Sequence, residues 1–86
     1  MDEFELIFPR EYAIKVIGVD ENDFESFVRR VITAHIPDLL PESFSTRSSS
    51  RNNYLSVSVS FIAESRDQLQ TLYQALGADE RVKLIL

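Results

Sequence analysis

Ten consecutive residues, Tyr54-Leu-Ser-Val-Ser-Val-Ser-Phe-Ile-Ala63, alternate almost without interruption, and this stretch restricts the fold more than any other in the chain. On an extended strand, side chains point to opposite faces in turn, so Leu55, Val57, Val59, Phe61 and Ala63 share one face. Tyr54, Ser56, Ser58, Ser60 and Ile62 share the other. A strand with one apolar and one largely polar face belongs in an antiparallel sheet covered on one side and solvated on the other.

The neighbouring segments supply the rest of such a sheet and its cover. Tyr12-Ala-Ile-Lys-Val-Ile-Gly18 is rich in β-branched residues, is bounded by Pro9 and Gly18, and reads as a first strand. After Gly18 the period changes, because Phe24, Phe27, Val28, Val31, Ile32 and His35 follow helical spacing. The first helix is predicted over Asp23 to Ile36, with Asn22 and Glu25 as a capping box and Glu25 and Arg29 as an i,i+4 pair. Pro37 and Pro41 prevent its continuation. Phe44 to Ser49 is predicted to be a second strand, and Arg51-Asn52-Asn53 a hairpin turn leading into the third. Ser65 and Gln68 form another capping box ahead of Leu69, Leu72, Tyr73 and Leu76, a second helix that Gly77 ends. Arg81 to Leu86 is the last strand.

The order is therefore βαββαβ. Two helices separated by a central hairpin make the split βαβ motif, an α+β fold whose four antiparallel strands run in the order 4-1-3-2 with both helices on one face. Residues 1–11 are a lead-in and residues 12–86 the single domain.

Several phrases also resemble a known family. Phe8-Pro9, Tyr12, Lys15-Val16, Gly18, His35 with Pro37, Ser50-Arg-Asn-Asn-Tyr54, Ser56-Val-Ser58, Leu72-Tyr73, Leu76-Gly77 and Val82-Lys-Leu-Ile-Leu86 are similar to the YbeD-like family of small bacterial proteins. The likeness covers nearly the whole chain and departs from the family around Pro41 to Ser49, where serine is more abundant here. It implies a ferredoxin-like fold similar to the ACT regulatory domains of amino-acid metabolism, and it brings no catalytic residue. In ACT domains the turn after the first strand contributes to an amino-acid site. By that resemblance the ligand turn is Gly18 to Asn22, with Gly18, Asp20 and Asn22 as its candidate residues, although carboxylates there attract an ammonium group and repel a carboxylate.

Composition excludes several functions. Nine Lys and Arg against fourteen Asp and Glu leave a net charge of −5, the wrong sign for a general polyanion binder, so nucleic acid is not an expected partner. Cysteine is absent, which removes disulfides, thiolate metal sites and thiol chemistry and suits a reducing, cytoplasmic location. The start, Met1 to Pro9, is acidic and lacks a long apolar run, so neither a signal peptide nor a membrane span is expected.

The catalytic inventory is thin. His35 is the single histidine and lacks the partners that zinc requires, and two glycines cannot build a phosphate-cradling loop. No cofactor, metal or catalytic residue is assigned. His35 is read as structural, at the helix end where an imidazolium interacts favourably with unpaired carbonyls. Asp20, Glu21, Asp23 and Glu25 lack the ligand pattern of a calcium loop and are read as charges suited to a helix N-terminus.

The open sheet face is more informative. If Ile14, Val16, Val57, Val59, Val82, Leu84 and Leu86 face the helices, then Ala13, Lys15, Ile17, Ser56, Ser58, Ser60, Lys83 and Ile85 lie on the far side. Lys15, Ser58 and Lys83 then come from three adjacent strands and form a candidate binding face for negative charge. The function expected is a non-enzymatic, ACT-like regulatory or adaptor module that binds a small metabolite or an acidic partner protein. A homodimer through the sheet face or an edge strand is a further partner. Two alternatives stand beside this reading: a small enzyme or acyl-group accessory factor using His35 or a hydroxyl, and a purely structural oligomerisation domain.

Overall fold

The long alternating segment is an inner strand of the sheet. The computed structural model describes residues 7–49, 51 and 53–86. In chain order the elements are β1 (Arg10–Val19), α1 (Phe24–His35), a 3₁₀ turn (Pro41–Ser43), β2 (Phe44–Ser48), β3 (Tyr54–Ala63), α2 (Arg66–Gly77) and β4 (Val82–Ile85). All pairings are antiparallel and the order is β2-β3-β1-β4, the expected 4-1-3-2 arrangement read from its other edge.

β1 starts at Arg10, inside the expected lead-in, because β3 extends to Ala63 and its last residues still find partners in the pairs Arg10–Ala63 and Glu11–Ile62. The core lies between sheet and helices. Ile14, Val16, Val57, Val59 and Phe61 meet Phe24, Val28, Ile32, Leu69, Leu72 and Leu76, all of them buried. Each such side chain contributes about 1.5–3 kcal/mol by leaving water, so this interlayer contact is the main stabilising element of the fold.

The caps differ in chemistry. Ser65 Oγ accepts from the Gln68 amide at 3.1 Å, as expected for α2. The Gln68 carbonyl oxygen accepts from Glu64 N at 2.8 Å, and its amide nitrogen donates to the His35 carbonyl at 3.3 Å, joining the two helices. At α1 the expected capping box is not formed. Asp23 is the N-cap, with a left-handed backbone (φ 57°) and no side-chain bond to the helix. The cap falls one residue later than Asn22, so Glu25 stands at the second helical position rather than the third that a capping box needs, and its Oε2 instead accepts from Arg29 Nε at 3.0 Å and from Thr46 Oγ1 at 2.9 Å. That second bond ties β2 to α1, as does the Arg29 guanidinium, which sits 4.8 Å from the centre of the Phe44 ring. Gly77 does not terminate α2 through a left-handed conformation but is its last helical residue, followed by Ala78 in right-handed helical geometry.

The hairpin between β2 and β3 is closed by Ser49, whose Oγ accepts from the amides of Asn53 (3.2 Å) and Tyr54 (3.3 Å). Of the expected turn residues, Asn52 lies outside the described residues. β2 ends at Ser48 rather than Ser49.

β4 departs most from the expected pattern. Val16 pairs with Ile85 and Ile17 with Leu84, but Gly18 pairs with Val82, so Lys83 is an extra residue in a bulge. Beyond the bulge every side chain is displaced to the opposite face. Ile85 packs against the core, whereas Leu84 is 49% exposed and Leu86 62% exposed. The expected assignment of Leu84 and Leu86 to the helix side and Ile85 to the open side is therefore reversed, as a one-residue slip requires. The bulge sits against Gly18, whose neighbour Val19 donates its amide to the Arg81 carbonyl at 2.9 Å.

Candidate functional site

Two rows of side chains cross the open face of the sheet. Ser45, Ser58 and Lys15 stand opposite one another on β2, β3 and β1, and Arg47, Ser56 and Ile17 form the next row. The local sequence explains this register: Phe44 and Thr46 turn to α1, so Ser45 and Arg47 must turn away from it. The register thus brings Ser58 beside Lys15. It also adds Arg47, a cation that the residue reading overlooked although the alternation of Phe44 and Thr46 with Ser45 and Arg47 already marked its face.

Lys15, Ser45, Arg47, Ser56 and Ser58 line a depression of about 270 Å³. Every one of these side chains can donate a hydrogen bond and none is a carboxylate. A second depression of about 270 Å³ shares Lys15, Ser45 and Ser58 and continues over Ala13, Ser60 and Leu86, where the surface becomes more apolar.

Lys83 does not join this group. Lys15 exchanges backbone hydrogen bonds with Leu86 (3.1 and 2.9 Å), three residues along β4 from Lys83 or roughly 10 Å at the rise of an extended strand. Lys83 instead lines a separate depression with Val19, Glu21, Glu80 and Arg81, where two carboxylates offset its charge. The expected three-strand cluster of Lys15, Ser58 and Lys83 is replaced by Lys15, Ser58 and Arg47, because the register of β4 sets Leu86 rather than Lys83 beside Lys15.

The turn after β1 is largely occupied by its own contacts. Beneath Gly18 lies the fully buried Phe24 ring. Arg81, which the residue reading left without a role, spans the turn: its NH1 donates to the carbonyls of Glu21 (3.1 Å) and Asn22 (2.8 Å). Its Nε and NH2 bind both carboxylate oxygens of Asp79 at 2.9 Å, and its guanidinium lies 4.7 Å from the centre of the Phe27 ring. Those bonds hold the Asp79 carboxyl at a pKa of about 2, below its ordinary 3.8. Of the three expected ligand-turn residues, Asp20 alone lines an open depression, with Val19, Glu21, Asn53 and Tyr54. The Asn22 carbonyl is committed to Arg81, and Gly18 is enclosed.

His35 ends α1 with its Nδ1 donating to the Val31 carbonyl at 2.9 Å, a contact within its own helix. The hydroxyls of Tyr12, near the start of β1, and Tyr73 on α2 bond at 3.2 Å. Burial, and secondarily this bond to Tyr12, raise the Tyr73 pKa above the ordinary tyrosine range. Among the described residues there is no group of three or more His, Asp or Glu side chains arranged to hold a metal ion, and no helix long and apolar enough to cross a membrane.

Comparison with known proteins agrees with this architecture. A family model described as "Protein of unknown function (DUF493)" matches residues 3–86. A UPF0250 protein of Neisseria gonorrhoeae is 35% identical over 79 residues, covering 92% of this chain and 87% of the relative. Another, from Pseudomonas paraeruginosa, is 42% identical over 80 residues, covering 92% and 86%. These are the relatives to which the YbeD-like resemblance points. Among solved structures, protein HP0495 from H. pylori matches with a TM-score of 0.68 at 16% identity, over 95% of this chain and 86% of that one. The ACT domain from GTP pyrophosphokinase of Chlorobium tepidum matches with a TM-score of 0.70 at 17% identity, over 90% and 83%. At such identities the likeness is one of fold.

Proposed function

The chain belongs to the DUF493 family, and from that premise we propose that it is a non-catalytic, ACT-like regulatory or adaptor module whose open sheet face receives a negatively charged ligand. One observation carries the reading: Lys15 and Arg47 share a depression with three serines and no acidic residue, on a protein whose net charge is −5. On an acidic molecule a local cationic spot selects for anions that the rest of the surface repels. The described ion pairs engage other cations, Arg29 with Glu25 and Arg81 with Asp79.

The test is capture from a bacterial lysate on immobilised protein, followed by mass spectrometry of bound metabolites and proteins. A ligand of this face elutes as salt rises, because exposed charges are screened over about 8 Å at physiological ionic strength. It is also lost from Lys15→Glu. Equal retention by wild type and variant at all salt concentrations overturns the reading.

A second reading, self-association through β4, has its own support in an edge strand that exposes Leu84 and Leu86 beside each other at 49% and 62%. Sedimentation equilibrium over a concentration series decides it, since a chain that stays monomeric throughout does not use that edge.

A further inference from the structure

Resting on the binding reading above, we infer that Lys15, Arg47, Ser45, Ser56 and Ser58 form an oxyanion subsite, and that its ligand is a small acid whose remainder lies toward Ala13 and Leu86. Lys15 and Arg47 are two strands and two residues apart, which at the spacings of a β-sheet separates their Cα atoms by roughly 12 Å, with Ser56 and Ser58 between them. Both side chains are long enough to reach an ion held over those serines. The guanidinium of Arg47 presents a planar fork that matches two oxygens of a carboxylate or phosphate, and Lys15 adds a compact charge from the other side. Hydroxyls of Ser45, Ser56 and Ser58 complete a floor of donors. Ser56 and Ser58 are half-buried, so their positions are set by the sheet rather than by mobile loops.

The two depressions are small and open to solvent. Each of the two connected depressions is about 270 Å³, at or below the small end of ordinary ligand sites, which run from about 300 to 1,000 Å³. The two differ in character: the Arg47 side is the more polar, and the Leu86 side is the more apolar. A molecule with an anionic group at one end and a short, less polar body fits both. The central rows offer serines rather than aromatic rings, so the surface has nothing on which to stack a run of bases.

The experiment is a titration of the ¹⁵N-labelled full chain with inorganic phosphate and, separately, with succinate, each at constant ionic strength against sodium chloride. Saturating amide shifts centred on Lys15, Ser45, Arg47, Ser56 and Ser58 are expected, with half-saturation in the millimolar range and binding about tenfold weaker or worse in Lys15→Ala with Arg47→Ala. Preference for phosphate identifies a phosphate ester as the ligand class, and preference for succinate a carboxylic acid; both support the subsite. Shifts that rise linearly and match those in chloride, showing an adventitious ion only, overturn it. So does saturation centred on Glu21 and Lys83. An undisturbed spectrum of the double variant outside the two rows establishes that it is folded. Should neither anion saturate while Lys15→Glu still loses the ligand captured from lysate, the subsite fails and the binding reading survives.

Discussion

The chain contains two glycines, and adding one methyl group to each is expected to change stability in opposite directions. At Gly18 an added Cβ would lie 2.5 Å from the Arg81 carbonyl oxygen and 2.7 Å from a Phe24 ring carbon, against an ordinary contact of 3.4–4 Å. Neither obstacle yields easily. The carbonyl accepts the Val19 amide at 2.9 Å where β4 bulges, and the Phe24 ring is fully enclosed by the core. Overpacking of this kind costs about 1–3 kcal/mol, and two rigid neighbours place Gly18→Ala toward the upper end, about 3 kcal/mol. At Gly77 nothing lies within 4 Å of the added carbon, and the backbone is helical with negative φ. Gly77→Ala therefore removes unfolded-state freedom without strain, a gain of about 0.4–1 kcal/mol. Urea denaturation of both variants measures the difference as midpoint shifts at unchanged slope. A Gly18→Ala protein within about 0.5 kcal/mol of wild type would show that Phe24 and Arg81 do not close the turn as described.

Three further outcomes are expected. Phe61→Ala removes a buried ring packed against Tyr12 (centroids 6.1 Å apart) and should cost about 3–5 kcal/mol, while Ser58→Ala on the open face should change stability by no more than about 0.5 kcal/mol; equal urea midpoints for the two would refute the face assignment. Asp79 should titrate near pH 2 by carboxyl NMR and return toward 3.8 in Arg81→Met. Because its folded pKa is depressed, its contribution to stability is present above its unfolded pKa of about 4 and is lost as pH falls toward 2, so the urea midpoints of wild type and Arg81→Met should converge across that window. His35→Gln should stay folded and keep the captured ligand, since the imidazole bonds within α1; loss of ligand by a folded variant favours the enzyme reading instead.

Much of this architecture was legible in the residues because local pattern and global fold agree. The strand Tyr54–Ala63 appears with the expected boundaries, since the alternation from Leu55 to Phe61 leaves a single register that buries Val57 and Val59. β4 was not legible. Leu84, Ile85 and Leu86 are three apolar residues in a row, so their alternation carries no phase, and the phase is set by a bulge that depends on how closely Arg81 approaches Gly18. Nor was the register legible that sets Leu86, and not Lys83, beside Lys15. The α1 capping box fails for a different reason: the cap falls at Asp23, one residue past Asn22, and the Glu25 carboxylate goes to Arg29 and Thr46, a partner on β2 that spacing along one helix does not reveal. Arg81 was missed because its contacts reach across some sixty positions of chain to the carbonyls of Glu21 and Asn22. Backbone acceptors leave no trace in residue type.

The central claim is that the open face of the sheet, rather than the turn after β1, carries the binding function. Two charge-reversed proteins test it side by side: Lys15→Glu with Arg47→Glu on the face, and Asp20→Lys with Glu21→Lys at the turn. With both shown to be folded, the amount of the wild-type ligand that each captures is measured by mass spectrometry under identical salt. Retention by the turn variant and loss by the face variant is the predicted result. Loss by the turn variant with retention by the face variant would contradict the account and move the functional surface to the depression lined by Asp20, Glu21 and Tyr54.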